Sequence, residues 1–173
     1  MTTTRPFVAA DLFRFNNVNL DVLTETYNQP FYLQYHSTWP AYNVVQEAPS
    51  GDIMGYILGK AEGPKADWHG HVTAVTVAPE YRRLGLAHSM MNYLERVSRD
   101  LYDGFFVDLF VRVSNTLAIN MYNKFGYSVY RRVLGYYSGE EDAFDMRKAL
   151  PRDTQKRSIV PLTRPVEAHE LWD

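Results

Sequence analysis

Val72-Thr73-Ala74-Val75-Thr76-Val77-Ala78-Pro79-Glu80-Tyr81-Arg82-Arg83-Leu84-Gly85-Leu86-Ala87 is the stretch whose reading decides the fold. Its first six residues are β-branched and apolar enough for a strand. Ala78-Pro79-Glu80-Tyr81 breaks that strand, and a helical pattern begins at Leu86. A strand feeding a helix through a short small-residue loop makes an anion cradle. The first N–H groups of a helix have no intrahelical partner and carry the positive end of its dipole. Gly85 and Ala87 let the backbone approach a diphosphate closely, Leu86 lies between them, and Arg82 and Arg83 add charge and donors. The spacing matches neither the Walker A loop nor the dinucleotide fingerprint. By itself it also fits a basic helix entrance on a plain surface.

Outward from this stretch the chain alternates strand and helix signals. Leu86, Met90, Leu94, Val97 and Leu101 recur every three to four residues, which predicts an amphipathic helix. Residues 105–113 are apolar almost throughout, as in a strand buried on both faces. Asn115 then caps a helix through Phe125, with Gly126 where a C′ glycine belongs. Strands follow over 127–133 and 143–150, joined by a polar loop. Upstream, Asp11 opens a first helix toward Asn19, residues 20–30 form a loop, and Phe31 starts a second helix stopped by Trp39-Pro40. Strands over 42–47 and 53–60 make a hairpin around Pro49-Ser50-Gly51-Asp52. The order gives an α/β fold, a mixed sheet with helices on both faces. Residues 1–150 form one domain. Residues 151–173, charged and proline-punctuated, read as a tail that is extended or partner-bound.

With 173 residues, 46% hydrophobic and 22% charged, the chain can pack a core. A net charge of −2 lacks the basic excess of nucleic-acid binders, so no direct nucleic-acid contact is expected. The absence of cysteine excludes disulfides, zinc–thiolate sites and thiol nucleophiles. No apolar run approaches the roughly 20 residues of a membrane span, and the first residues lack a signal core. The expectation is a soluble, cytoplasmic protein.

Asn115-x-x-Ala118-x-x-x-Tyr122-x-x-x-Gly126-Tyr127 supplies a second motif. Asn115 and Tyr122 are seven residues apart and share a helix face, with the small Ala118 between them, leaving room for a ligand. Alone, this also fits a capped helix with a half-buried tyrosine. Together, Arg-x-x-Gly-x-Ala and this second motif resemble the GCN5-related N-acetyltransferase (GNAT) superfamily. That resemblance implies a mixed, mostly antiparallel sheet of about seven strands, acetyl-CoA as cosubstrate, Asn115 on the CoA arm and Tyr122 beside the thioester sulfur as general acid. Residues 13–27, 30–35, 68–74, 104–115, 136–138 and 145–150 resemble more narrowly the catalytic subunits of NatB-type protein N-terminal acetyltransferases. This implies acetyl transfer to the α-amine of proteins beginning Met-Asp, Met-Glu, Met-Asn or Met-Gln. It also implies a heterodimer with a large helical-repeat auxiliary subunit, and action on nascent chains at the ribosome.

An α-amine, with pKa about 7.7–8.0, is partly neutral in the cell, whereas a lysine near ~10.4 needs a stronger base. A chain without an obvious buried carboxylate base suits the former. Backbone N–H groups around Val75 and Val77 would meet the oxyanion, and Tyr122 would protonate the departing thiolate. His71 and Thr73, two residues apart on one strand face, could bond an acidic or amide side chain; the resemblance assigns them the substrate's second residue. It also places Glu25 and Tyr27 on one wall of a peptide groove and gives the paired Tyr136 and Tyr137, in the loop between the last strands, a grip on the peptide backbone. His69 reads as a loop residue. His69 and His71 show no further ligands nearby, and no metal is expected. Asp108, inside a buried strand, needs a partner, which the sequence offers as Arg112 or a loop N–H. Two other readings stay open: a lysine or small-amine acetyltransferase of the same fold, and a non-catalytic acetyl-CoA-binding subunit.

Overall fold

The computed structural model describes residues 1–20 and 24–172; residues 21–23 of the loop expected over 20–30, and Asp173, lie outside them. One eight-stranded sheet runs through the molecule. Its strands are β1 (Thr3–Pro6), β2 (Val44–Glu47), β3 (Ile53–Glu62), β4 (His69–Val77), β5 (Phe106–Arg112), β6 (Ser128–Tyr137), β7 (Glu141–Ala149) and β8 (Val166–Glu167). They lie in the order β1-β2-β3-β4-β5-β7-β6-β8. The β4–β5 and β6–β8 pairs are parallel and the rest antiparallel.

Three α-helices flank the sheet: α1 (Gln29–Thr38), α2 (Leu86–Asp100) and α3 (Thr116–Lys124). Met90, Met91 and Leu94 of α2 and Tyr122 of α3 share a core with Ile57, Val72, Leu109 and Met146 on one face of the sheet. On the other face Tyr32 and Tyr35 of α1 pack with Phe15, Val45, Tyr56 and Leu58. No helix among the described residues is long and apolar enough to cross a membrane.

The expected first helix is instead two 3₁₀ turns, Ala9–Phe13 and Asn16–Asn19. The buried residues Leu12, Phe15 and Val18 are spaced by three, the repeat of a 3₁₀ turn rather than of an α-helix. Asp11 accepts from the Val8 N–H and from both terminal nitrogens of Arg5, each at 2.8–2.9 Å, fixing the entry to the first turn. The helix expected from Phe31 begins two residues earlier. Asn28 caps it by accepting from the Phe31 N–H, and Pro30 sits in the first turn, where it costs no hydrogen bond.

The sheet has eight strands where about seven were expected, and its two edge strands carried no sequence signal. The polar β1 shows no apolar alternation, and the two-residue β8 is too short for a sequence signal. Past Pro151 the chain runs in short turns, the Leu162 N–H donating to the Tyr130 carbonyl at 2.7 Å, before β8 joins β6.

Candidate active site

The site opens where two parallel strands part. β4 and β5 pair only from His69↔Phe106 to Val72↔Leu109, although β4 continues to Val77 and β5 to Arg112. The register against β3 slips between Ala74↔Leu58 and Val72↔Gly59, so Thr73 is the extra residue of a bulge. This bulge changes which face β4 presents. Val72, Val75 and Val77 pack with α2 and α3, while Ala74 packs with α1 and Thr76 bonds the Val18 carbonyl on that side. The Ala78 N–H donates to the Met54 carbonyl of β3 at 2.8 Å. Donor direction alternates along a strand, so the N–H groups of Val75 and Val77 point away from β3, into the gap.

The loop that begins α2 lies at the end of the same strand. After a 3₁₀ turn over Pro79–Tyr81, Arg83 and Gly85 adopt left-handed backbone, with φ of 63° and 76°. Gly85 is the N-cap, no side chain caps the helix, and its first turn carries no acidic residue. The first N–H groups of a 15-residue helix are thus left for an anion, and a Cβ on Gly85 would meet nothing within 4 Å. Leu86 itself is buried, so it contributes its N–H rather than its side chain.

Across the gap, α3 starts as expected. Asn115 Oδ1 accepts from the Ala118 N–H at 3.2 Å, so the side chain retains its amide donors for a ligand. Tyr122 is buried, its ring edge-on to Phe125 and Tyr127. Among the described residues its hydroxyl makes no hydrogen bond. Burial pushes that hydroxyl well above the ordinary phenol value. It keeps its proton at neutral pH and is fit to donate, not to act as a base.

Glu25, Tyr27, His71, Thr73, Tyr136 and Tyr137 line one groove of about 250 Å³ on the α1 side. Phe31, Tyr35, Lys60 and Phe110 complete it. Tyr27 stacks on Phe31 with centroids 4.2 Å apart, and its hydroxyl reaches the Thr73 carbonyl at 3.5 Å. Thr73 Oγ1 donates to the Tyr35 hydroxyl at 2.8 Å. Burial raises Tyr136 to about 12, and Tyr27 and Tyr137 beyond it, so all three present neutral hydroxyls. Tyr136 and Tyr137 belong to the end of β6 rather than to the loop; the turn starts at Ser138, and the register slips between Val133 and Tyr137, where Gly135 has φ of 58°.

The structure adds a partner for Glu25 and corrects the readings of Asp108 and His69. Glu25 is held in place, as Arg112 Nη2 donates to its Oε1 at 2.7 Å. Arg112 also holds Glu141 at 3.0 Å and lies 4.1 Å over the Tyr137 ring, so one guanidinium ties Glu25 and Tyr137 of the groove to the start of β7. Asp108 therefore does not pair with Arg112. It accepts from His71 Nδ1 at 2.7 Å and lies 3.4 Å from His69 Nε2. Burial alone would raise the Asp108 carboxyl, but the two histidines outweigh it and hold it low. His69 is the first residue of β4 rather than a loop residue, stacked on Phe106 at 4.5 Å. Tyr35, Lys60 and the tie from Arg112 to Glu25 carried no sequence signal. Lys60, for one, joins the groove because β3 pairs it with His71, a register invisible in the sequence.

A parted strand pair, a helix start left uncapped by any side chain and a buried tyrosine hydroxyl thus lie near a groove of about 250 Å³. The acetyltransferase (GNAT) family model matches residues 11–127, two thirds of the chain. The chain belongs to this family. It is 68% identical over 166 residues to N-alpha-acetyltransferase 20 of Dictyostelium discoideum, covering 96% of each chain. Among solved structures, Naa20 of Chaetomium thermophilum in complex with a bisubstrate analogue superposes with a TM-score of 0.90 at 42% identity, covering 99% of this chain and 100% of that one. A chain of the NatB acetyltransferase complex bound to CoA and MES gives 0.79 at 48% identity, covering 86% and 99%. The fold is the GNAT fold, and the cosubstrate is acetyl-CoA.

Proposed function

We propose that the chain is the catalytic subunit of a NatB-type enzyme, moving acetyl from acetyl-CoA to the α-amine of proteins beginning Met-Asp, Met-Glu, Met-Asn or Met-Gln. The observation that carries this is the groove. All six residues read as acceptor contacts line one cavity of about 250 Å³ on the α1 side of the strand whose far end begins the thioester gap. The CoA diphosphate lies on the backbone of Arg82 to Ala87 and the helix start, with the Asn115 amide on the arm.

The neutral α-amine attacks the thioester carbonyl. The carbon–nitrogen bond forms, and the oxyanion is met by the Val75 and Val77 N–H groups. The carbon–sulfur bond then breaks as the Tyr122 hydroxyl donates a hydrogen bond to the departing thiolate, which leaves as the CoA thiolate and takes its proton from solvent. The ammonium proton leaves through the wall of the groove held by Glu25 and Arg112. The substrate's second side chain meets His71 and Thr73, and the Tyr136 and Tyr137 hydroxyls hold its backbone.

The auxiliary subunit, a large helical-repeat protein in this reading, docks on the α1 side. Val8, Phe13, Leu20 and Leu33 are exposed there on or beside the elements of that layer, and burying such side chains is favourable by about 1.5–3 kcal/mol each. The tail over 151–173 contributes to the same assembly, and the complex works on nascent chains at the ribosome in the cytoplasm. Peptides that differ only in their first two residues test the assignment, assayed with and without the auxiliary subunit. Met-Asp and Met-Asn peptides are expected to react at least tenfold faster than Ser-Ala peptides. Equal rates, or preference for a lysine side chain, would point to another amine acetyltransferase of this fold.

A further inference from the structure

Beneath the groove, one ligating atom from each of Glu62, His69 and His71 lies within 4.8 Å of the other two. The sequence showed only the two histidines. Glu62 arrives from β3, which pairs it with His69. His69 Nε2 is buried and makes no well-formed hydrogen bond; it lies 3.4 Å from Asp108 Oδ2 and 3.7 Å from Glu62 Oε1. Around a tetrahedral zinc with bonds of about 2.0–2.2 Å, neighbouring ligand atoms stand roughly 3.4 Å apart. The His69–Glu62 pair, at 3.7 Å, is within a few tenths of an ångström of that spacing.

Each ligand is also held from behind. The Asp67 carbonyl meets His69 Nδ1, Asp108 accepts from His71 Nδ1, and Lys60 Nζ holds the other oxygen of Glu62. Outer partners that orient a histidine through its second nitrogen, most often a carboxylate or carbonyl, are the supports metal ligands have. Two imidazoles and one carboxylate with an open fourth position form a zinc-type donor set.

We propose that Glu62, His69 and His71 form a binding site for a divalent transition ion of the zinc type, and that its occupation inhibits the enzyme. His71 lines the acceptor groove, whereas Glu62 and His69 stand outside its lining. A bound ion draws the His71 ring toward β3 and takes it from the substrate. The inhibition, unlike the binding, rests on the reading of this groove as the acceptor site. It is competitive with peptide and indifferent to acetyl-CoA.

The test is a calorimetric titration of the full chain, co-purified with its auxiliary subunit, with zinc chloride, beside Glu62→Gln and His69→Gln. The two variants also serve as blanks for zinc taken up by the partner. One saturable site is expected in the wild type, weakened at least tenfold in both variants. Cobalt(II) in place of zinc should give the visible absorption of a tetrahedral site in the wild type alone, which decides the matter if either variant folds poorly. Identical titrations for all three proteins, or no site in the wild type, would overturn the proposal. Steady-state kinetics separates the two layers. A zinc-dependent rise in the peptide KM, reversed by a chelator and shifted to at least tenfold higher zinc in Glu62→Gln, supports inhibition through His71. Binding without any change in peptide KM would overturn the groove assignment and leave the metal site standing.

Discussion

Replacing Tyr122 by phenylalanine separates catalysis from packing at the position on which the chemistry turns. The ring fills the core beside Phe125 and Tyr127 and would remain. Only the hydroxyl is lost, and among the described residues it makes no hydrogen bond. The stability change is therefore expected within about 0.5 kcal/mol, or a shift in Tm of roughly 1–2 °C for a chain of this size. The catalytic loss should be much larger. Burial holds the hydroxyl well above the ordinary phenol value, while a free thiol sits near ~8.5. Complete proton transfer to the thiolate is then uphill, so Tyr122 acts chiefly by donating a hydrogen bond to the sulfur as it leaves. That places the effect at the low end of acid catalysis, about 10²-fold in kcat, or roughly 2.7 kcal/mol of barrier. The assay is steady-state acetylation of a Met-Asp peptide at saturating acetyl-CoA, beside a thermal melt. Both KM values should stay within about twofold. An unchanged kcat, or a loss confined to the KM for acetyl-CoA, refutes the assignment of Tyr122 to the leaving group.

Gly85→Val should raise the KM for acetyl-CoA at least tenfold in an initial-rate titration, because the side chain enters the space at the helix entrance; the left-handed backbone there adds about 1–2 kcal/mol of destabilisation, read by denaturant unfolding. Arg112→Gln should raise the peptide KM about tenfold and leave that for acetyl-CoA within twofold, since it releases Glu25, Glu141 and the Tyr137 ring together. Asp11→Asn should destabilise by about 2 kcal/mol at pH 7 by breaking a charge-assisted pair, or roughly 4–8 °C in Tm. Burial alone would raise Asp11, but its bonds to Arg5 and the Val8 N–H outweigh this and hold the carboxyl low. A depressed carboxylate stabilises the native state above its unfolded pKa of about 3.9 and loses that contribution as pH falls through the native value. The gap in Tm between wild type and Asp11→Asn should therefore shrink below about pH 4.

Where local chemistry decides the backbone, the sequence was enough. The strand over 72–77, the loop at Gly85, the periodic helix behind it and the Asn115 cap each follow from residues a few positions apart. The backbone of the proposed donor half was legible for that reason. The first helix failed because Leu12, Phe13 and Phe15 read as one apolar helix cluster, and only packing reveals that Phe13, 77% exposed, is outside. The acceptor half depends on register between strands and on contacts between distant segments. Glu25 meets Arg112 across 87 residues, and Glu62 meets His69 through the β3–β4 pairing. No periodicity carries such information. Resemblance to a known family named the groove residues, but it did not show that Arg112 ties two of them, Glu25 and Tyr137, together.

The central claim is that the gap between β4 and β5 seats the thioester while the groove under Tyr27 and His71 seats the protein N-terminus. The most direct test is a crystal structure of the complex with a CoA conjugate of a Met-Asp peptide. The account predicts the sulfur within hydrogen-bond reach of the Tyr122 hydroxyl, the acyl oxygen on the Val75 or Val77 N–H, and the aspartate beside His71 and Thr73. A conjugate with its sulfur remote from Tyr122, or with the aspartate in solvent, would contradict it.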